Sequence, residues 1–230
     1  MFQTTKETKR LYFNKWIYKI CLHLEGMSYI KRTSLKNLML LDYSPVTNGW
    51  YFRQKQLAVN NKDELIKIAL FLEDSKEHYS FQTRTEGPTL GIFTNDLSLI
   101  DKVNSEFGPL VTDVYQPLND DVAKYLISNK NKIICTELPS GLYQFKTYFT
   151  SSQKIPASTR TNFLAWADNY SDEKISMPKS TRIFLEGSNG YYSYGQYFYT
   201  SDSKMLAMAL MFISGYASKT DEYVLKTDII

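Results

Sequence analysis

Side chains that carry catalytic or redox chemistry are scarce in this chain of 230 residues, which has two cysteines, Cys21 and Cys135, and two histidines, His23 and His78. Two distant cysteines in apolar surroundings form neither a disulfide framework nor a CxxC pair, so a reducing compartment is expected. The ligand count excludes a structural zinc site, and a Ser-His-Asp arrangement would have to recruit one of two unrelated histidines. GxSxG elbow, Walker A loop and HExxH pair are all missing from the sequence. The paired carboxylates Asp120-Asp121 and Asp172-Glu173 sit in polar connectors, where capping and solvation account for them. No cofactor and no metal is expected. The chain also lacks a long hydrophobic run: its longest apolar stretch, residues 205–213, is far short of the roughly 20 residues of a membrane span. The first seven residues have no apolar signal core. The expected setting is the cytoplasm, or a virion if the protein is viral, without membrane contact.

Aromatic rings are plentiful, with 18 Tyr, 13 Phe and 3 Trp. Rings suit a pleated, half-buried surface and predict a β-rich fold, and some of them could stack on a ligand. Hydrophobic residues at 43% and charged residues at 22% describe an ordinary globular protein. The Lys, Asn, Ile and Tyr usage suits an AT-rich genome such as that of a phage or virus. The net charge of +3 hides an asymmetry, because residues 1–60 carry ten Lys or Arg against three Asp or Glu. Basic residues interleaved with rings, as in Lys9-Arg10-Leu11-Tyr12-Phe13-Asn14-Lys15-Trp16, are what a phosphate-contacting surface needs. Lysines along a strand also guard a sheet edge against aggregation.

The chain repeats its plan. Gly91–Asp96, an apolar helix pattern and Leu110–Tyr115 are echoed by Gln196–Asp202, a second helix pattern and Lys219–Leu225. Both read strand, Thr-x-Asp turn, helix, strand, and self-similarity of this kind signals duplicated architecture. The first half, residues 1–116, is read as a hairpin around Asn14-Lys15, an elaboration over 25–60 and a helix from Asn61 with a capping-box pattern at Glu64. The elaboration holds a short helix at 34–41 and an extra strand at 50–57. Two strands, a helix and a closing strand complete this half. Residues 117–132 form an ordered connector helix. The second half, residues 133–230, is read as a hairpin around Pro139-Ser140-Gly141 and a helix presenting Phe163, Trp166, Ala167 and Tyr170. Strands ending at Glu186-Gly187 and Thr200, a helix capped by Asp202 and a final strand follow. Each half then reads βαββαβ behind an extra strand, so the expected fold is α+β, two tandem ferredoxin-like repeats with helices on one face of each sheet. Leu65, Ile68, Ala69, Leu72, Ile100, Val103, Phe163, Trp166, Leu206 and Leu210 are the expected core.

Period-2 alternation sets Trp16, Tyr18, Ile20, Leu22 and Leu24 on one strand face and Lys15, Lys19, Cys21 and His23 on the other. Lys146 falls in the second half where Lys19 falls in the first. In the run from Gly190 to Tyr199, alternation separates Tyr191, Tyr197 and Tyr199 from Tyr192, Tyr194 and Phe198. One set is surplus to a single core face and must be exposed, meet a partner or be buried by sheet-on-sheet packing.

Two resemblances follow from these residues. His23-Leu24-Glu25-Gly26 and Tyr223-Val224-Leu225-Lys226 resemble the His motif and the Tyr-x-x-Lys nucleophile of rolling-circle replication initiators, but the second metal-binding histidine is missing and the fragments lie in different halves. The βαββαβ order with aromatics on an open sheet resembles RNA-recognition-type domains; the Lys/Arg-Gly-Phe-Gly-Phe signature of those domains is not in the chain.

The expected function is non-catalytic binding of single- or double-stranded nucleic acid. Lys9, Arg10, Lys15, Lys19, Arg53, Lys55 and Lys146 would meet phosphates, and Tyr192 and Tyr194 would stack on bases. The alternative is a structural or assembly protein whose aromatic strands make protein–protein contacts or self-assemble. An initiator-like nuclease stands third.

Overall fold

A computed structural model describes residues 4–32, 60–150, 155–187 and 195–229. Its contacts divide the chain into two compact units, with the division between Ile127 and Ser128. Among the described residues the fold is mixed α+β, with two five-stranded sheets and six α-helices.

The first unit contains β1 (Thr4–Glu7), β2 (Tyr18–His23), α1 (Lys62–Ser75), β3 (Phe81–Glu86), β4 (Thr89–Thr94), α2 (Leu97–Phe107) and β5 (Val111–Gln116), with α3 (Asp120–Ser128) reaching the division. Its sheet runs β1-β5-β2-β4-β3. β1 pairs parallel with β5 and every other neighbouring pair is antiparallel. Ile20 and Leu22 of β2, paired with Ile92 and Leu90 of β4, point to the side where α1 packs Leu65, Ile68 and Leu72 and α2 packs Leu99, Ile100, Val103 and Phe107. These helical positions recur at three- and four-residue intervals, so each helix buries one stripe. Asp96 starts α2 by accepting a hydrogen bond from the Ser98 N–H at 2.9 Å. Between β3 and β4 the chain reverses through Gly87-Pro88, and Gly87 takes a φ of +58° that a side chain would resist.

The second unit contains β6 (Lys132–Cys135), β7 (Phe145–Phe149), α4 (Ala157–Ala167), β8 (Ile175–Ser176), α5 (Lys179–Glu186), β9 (Tyr197–Thr200), α6 (Ser203–Ile213) and β10 (Ala217–Leu225). Its sheet runs β6-β10-β7-β9-β8, so the order by position is the same, first-fifth-second-fourth-third, in both units. Here too the leading strand is parallel to the last and the other pairs are antiparallel. Phe149, Phe163, Phe184 and Phe198 form the centre of this core, with Ala167, Met205, Ala209 and Ile213 filling around them. Asp202 accepts from the Met205 N–H at 2.9 Å to start α6, as Asp96 does for α2.

Several local expectations are corrected. The expected hairpins are absent: β1 and β6 lie across β5 and β10 from β2 and β7, and the turn at Asn14-Lys15 closes only a single bridge, Tyr12 to Trp16. Nine or ten residues separate the leading strand from the second in each unit, long enough to step across the edge of the last strand instead of folding straight back. Asn61 makes no side-chain cap for α1; its amide donates to the Glu25 carbonyl at 3.1 Å, and Glu64 pairs with Lys67. Residues 183–186 are helix, not strand: α5 begins after Pro178, buries Thr181, Phe184 and Leu185 at helical spacing, and ends where Gly187 turns left-handed at φ +96°. The strand of that region is the two-residue β8. In α6 the buried stripe is Met205, Ala209 and Ile213, one residue off the expected Leu206 and Leu210, which are half-buried, as are Ala69 and Trp166. The helix expected at 34–41 and the strand expected at 50–57 lie outside the described residues.

Candidate functional site

With α1 and α2 packed on one side of the first sheet and α4, α5 and α6 on one side of the second, each sheet turns another face the other way. Residues facing one another across antiparallel strands share a face, so the register fixes its composition. In the second unit Lys146 sits opposite Tyr199 on β9 and Asp221 on β10, and Tyr148 sits opposite Tyr197 and Lys219. The Lys146 ammonium lies 3.7 Å from the Tyr197 ring centroid, 4.8 Å from that of Tyr148 and 5.6 Å from that of Tyr199. A cation inside about 6 Å of a ring face is attracted by the ring quadrupole, and here three rings act on one cation. Desolvation lowers the Lys146 pKa, but the hydrogen bond with Tyr148 and the neighbouring phenols outweigh it and carry it above the usual lysine value. The site therefore keeps its positive charge throughout the physiological range. Lys219 adds a second ammonium 2.5 Å from Asp221 and 5.9 Å from the Tyr148 ring. Tyr143 stacks on Tyr199 at 5.3 Å and 21°, with its hydroxyl donated to the Asp172 carbonyl. Burial pushes the Tyr199 phenol up, so it stays neutral.

The first unit places Lys19 at the equivalent point, opposite Phe93 on β4 and Tyr115 on β5. Its ammonium is 4.9 Å from the Tyr115 ring, 5.5 Å from Phe93 and 5.8 Å from Tyr12. Tyr12 comes from the turn before β2, where Phe13 and Asn14 both adopt positive φ, 53° and 55°. That turn folds over the sheet: Tyr12 packs 5.3 Å from Phe93, Phe13 packs 5.0 Å from Phe93, and the Trp16 indole donates to Gln82 at 3.1 Å. Phe93 is consequently buried, and burial also pushes the Tyr12 phenol and the Cys21 thiol up. Gly91 leaves room for this packing, since a Cβ there would meet the Phe93 ring at 3.1 Å. Lys19, Cys21, Arg84, Glu86, Thr89, Gly91 and Phe93 line a cavity of about 30 Å³. That is space for a water or two, far below the roughly 300 Å³ at which small-molecule sites begin.

No protein family matches the chain, and neither a curated protein nor a solved structure matches it. The residues themselves must carry the functional reading.

Of the residues expected from sequence, Lys19 and Lys146 occupy matching central positions. Lys15 lies in the turn over the Trp16 ring at 4.0 Å and is not on β2. Lys9 and Arg10 are exposed between β1 and that turn. Arg53, Lys55, Tyr192 and Tyr194 lie outside the described residues. Phe198, which alternation groups with Tyr192 and Tyr194, is fully buried, so the polar face of β9 carries the other set, Tyr197 and Tyr199. The phenyl within that alternation was the available signal, because a ring without a hydroxyl suits the core. Phe93, Tyr115, Tyr148 and Lys219 were not expected, since they reach the lysines only through strand register, and Tyr12 reaches Lys19 only because its turn folds over the sheet. Among the described residues no group of three or more His, Cys, Asp or Glu could hold a metal ion, and no helix is long and apolar enough to cross a membrane.

Proposed function

We propose that this chain is a non-catalytic nucleic-acid-binding protein built from two ferredoxin-like units, each using the polar face of its sheet. The fold name rests on the last four strands of each unit, whose spatial order is fourth-first-third-second with antiparallel neighbours and a helix after the first and third. One observation carries the functional reading: both units bring a lysine and a group of aromatic rings to the centre of the helix-free face, Lys19 with Tyr115 and Phe93, and Lys146 with Tyr148, Tyr197 and Tyr199. An ammonium meets phosphate and a ring meets a base face, and the pairing of the two is what a polynucleotide offers.

The reading is tested by titrating the protein with oligonucleotides at several salt concentrations. Binding that weakens with salt is expected, and replacing either Lys19 or Lys146 by Ala removes about one phosphate contact from the slope. Absence of binding at low salt would end the proposal. A second reading, an assembly protein, is favoured by α6, where Met211 is 85% and Phe212 37% exposed on a helix that is apolar almost all round. Oligomers that grow with protein concentration and ignore nuclease would bring it forward.

A further inference from the structure

We infer that the polar face of the second unit is a platform for single-stranded polynucleotide, and that the corresponding face of the first unit is closed to bases by its own turn. The inference rests on the nucleic-acid reading above and names its ligand class and its location.

Shape decides the strandedness. Five strands about 4.8 Å apart make a sheet about 19 Å across, wider than the roughly 12 Å major groove of duplex DNA, which admits a helix or a two-stranded ribbon. The faces of duplex bases are stacked inside the helix, so rings on a broad sheet can reach them only when the strand is unpaired. Charge points the same way. The face offers Lys146 and Lys219, and Asp221 lies 2.5 Å from Lys219, so little cationic charge is available for the phosphate rows of a duplex. Two lysines suit the sparse phosphates of one strand laid across Tyr148 and Tyr197.

Ring availability decides the unit. Tyr148 and Tyr197 are half-buried, 5.9 Å apart at 55°, and the Lys146 ammonium lies 3.7 Å from the Tyr197 ring centroid. A phosphate draws that ammonium off the ring and a base takes its place, so one contact is exchanged for two. In the first unit the positions that match the Tyr148–Tyr197 pair are Cys21 and Gly91, which carry no ring, and the rings that are present pack on one another. Tyr12 packs on both Phe93 and Tyr115, and Phe13 packs on Phe93.

The experiment measures binding of the full chain to oligothymidylate, oligouridylate and a mixed-sequence duplex of equal length. Both homopolymers are expected to bind more tightly than the duplex, with a salt slope no steeper than about −2.1, three phosphates at about −0.7 each on Lys146, Lys219 and Lys19. Their ratio separates a DNA from an RNA ligand through the 2′-hydroxyl. Tyr197→Leu and Tyr148→Leu, which keep the bulk and lose the π-face, are expected to weaken single-strand binding about 5- to 150-fold. Tyr197→Phe, which keeps the face, should stay within about threefold of the parent, as should Tyr12→Leu. A duplex bound as tightly as the single strands overturns the inference and leaves the nucleic-acid reading standing. So does a Tyr12→Leu loss equal to that of Tyr197→Leu, or a Tyr197→Phe loss equal to it. Binding to neither form, or to protein alone, overturns both.

Discussion

The two units build one strand order around different materials. The first core is aliphatic, with Ile20, Leu22, Leu65, Ile68, Leu90, Ile92 and Val103 at its centre and Phe107 as its buried aromatic. The second is a phenyl cluster, in which Phe149, Phe163 and Phe198 pack at 5.3–6.0 Å between centroids, with Ala167 and Ala209 on the facing helices leaving space for the rings. The connection between the third and fourth strands differs as much. It is the two-residue Gly87-Pro88 turn in one unit and a segment containing α5 in the other, and the third strand shrinks from six residues to two. What survives is the alternation of the three central strands and the capped helix after the fourth. Volume and period therefore specify this fold, and the identity of the core side chains is negotiable within them.

The largest test of that contrast is Phe198→Ala. Phe198 is fully buried between Phe149 and Phe163, and truncating a buried Phe costs about 3–5 kcal/mol. In the aliphatic core Ile92→Val should cost only about 0.5–1.5 kcal/mol. Denaturant unfolding measures both, and hydrogen exchange on the Phe198 variant should show β2 amides keeping their protection while those of β7 lose it. Equal costs would show that the phenyl cluster is not what holds the second unit.

Next in size are two of the left-handed glycines, Gly187 and Gly87. Gly187→Ala forces an L-residue to φ +96° and sets its Cβ 2.8 Å from an Arg160 guanidinium nitrogen, which itself donates to the Leu185 carbonyl at 3.0 Å. The backbone term alone is about 1–2 kcal/mol, and disturbing the arginine adds about 1. At Gly87, with φ +58° and nothing within 4 Å, only the backbone term applies. Thermal or denaturant midpoints should rank Gly187→Ala below Gly87→Ala, and the reverse order would place the strain at the β3–β4 turn.

The smallest effect is the shared cap. Asp96→Ala and Asp202→Ala should each cost about 1 kcal/mol, within a usual range of about 0.5–2. The Met205 N–H, with smaller help from the Ser201 hydroxyl and Lys174, holds the Asp202 carboxyl below its usual range against a weaker opposing desolvation. A depressed carboxylate contributes in full above its unfolded value of about 3.9 and loses that contribution as pH falls through the folded value. The gap between the parent and Asp202→Ala should then be flat from neutral to about pH 5 and narrow below it. A gap that widened in acid would remove the carboxylate from its role.

Features set by neighbours in sequence were legible in the chain. A cap at Asn95 or Asp96, the cap at Asp202, the inward Ile20 and Leu22, and the match of Lys19 to Lys146 follow from a few adjacent residues and a period of two. Features that depend on distant pairing were not. The leading strand β6 reads as half of a hairpin because adjacency is the default for consecutive strands, and Thr4–Glu7 does not read as a strand at all; only β5 and β10, about a hundred residues on, claim them. Ile183-Phe184-Leu185 suits a strand by composition, and the helix is signalled only by Pro178 before it and Gly187 after it. At the candidate site the lysines could be picked out, whereas Tyr115, Tyr148 and Lys219 join them only once β5, β7 and β10 are in register.

The place of the last strand in each sheet has a consequence for synthesis. β5 lies between β1 and β2, and β10 between β6 and β7. While a ribosome is still making either unit, its first strand has no neighbour to zip against, and the gap closes only when the final strand emerges. Folding of each unit is thereby deferred to the end of its own translation, and a ribosome stalled before Val111 or Ala217 would hold a nascent chain with a sticky, half-made sheet for chaperones to shield.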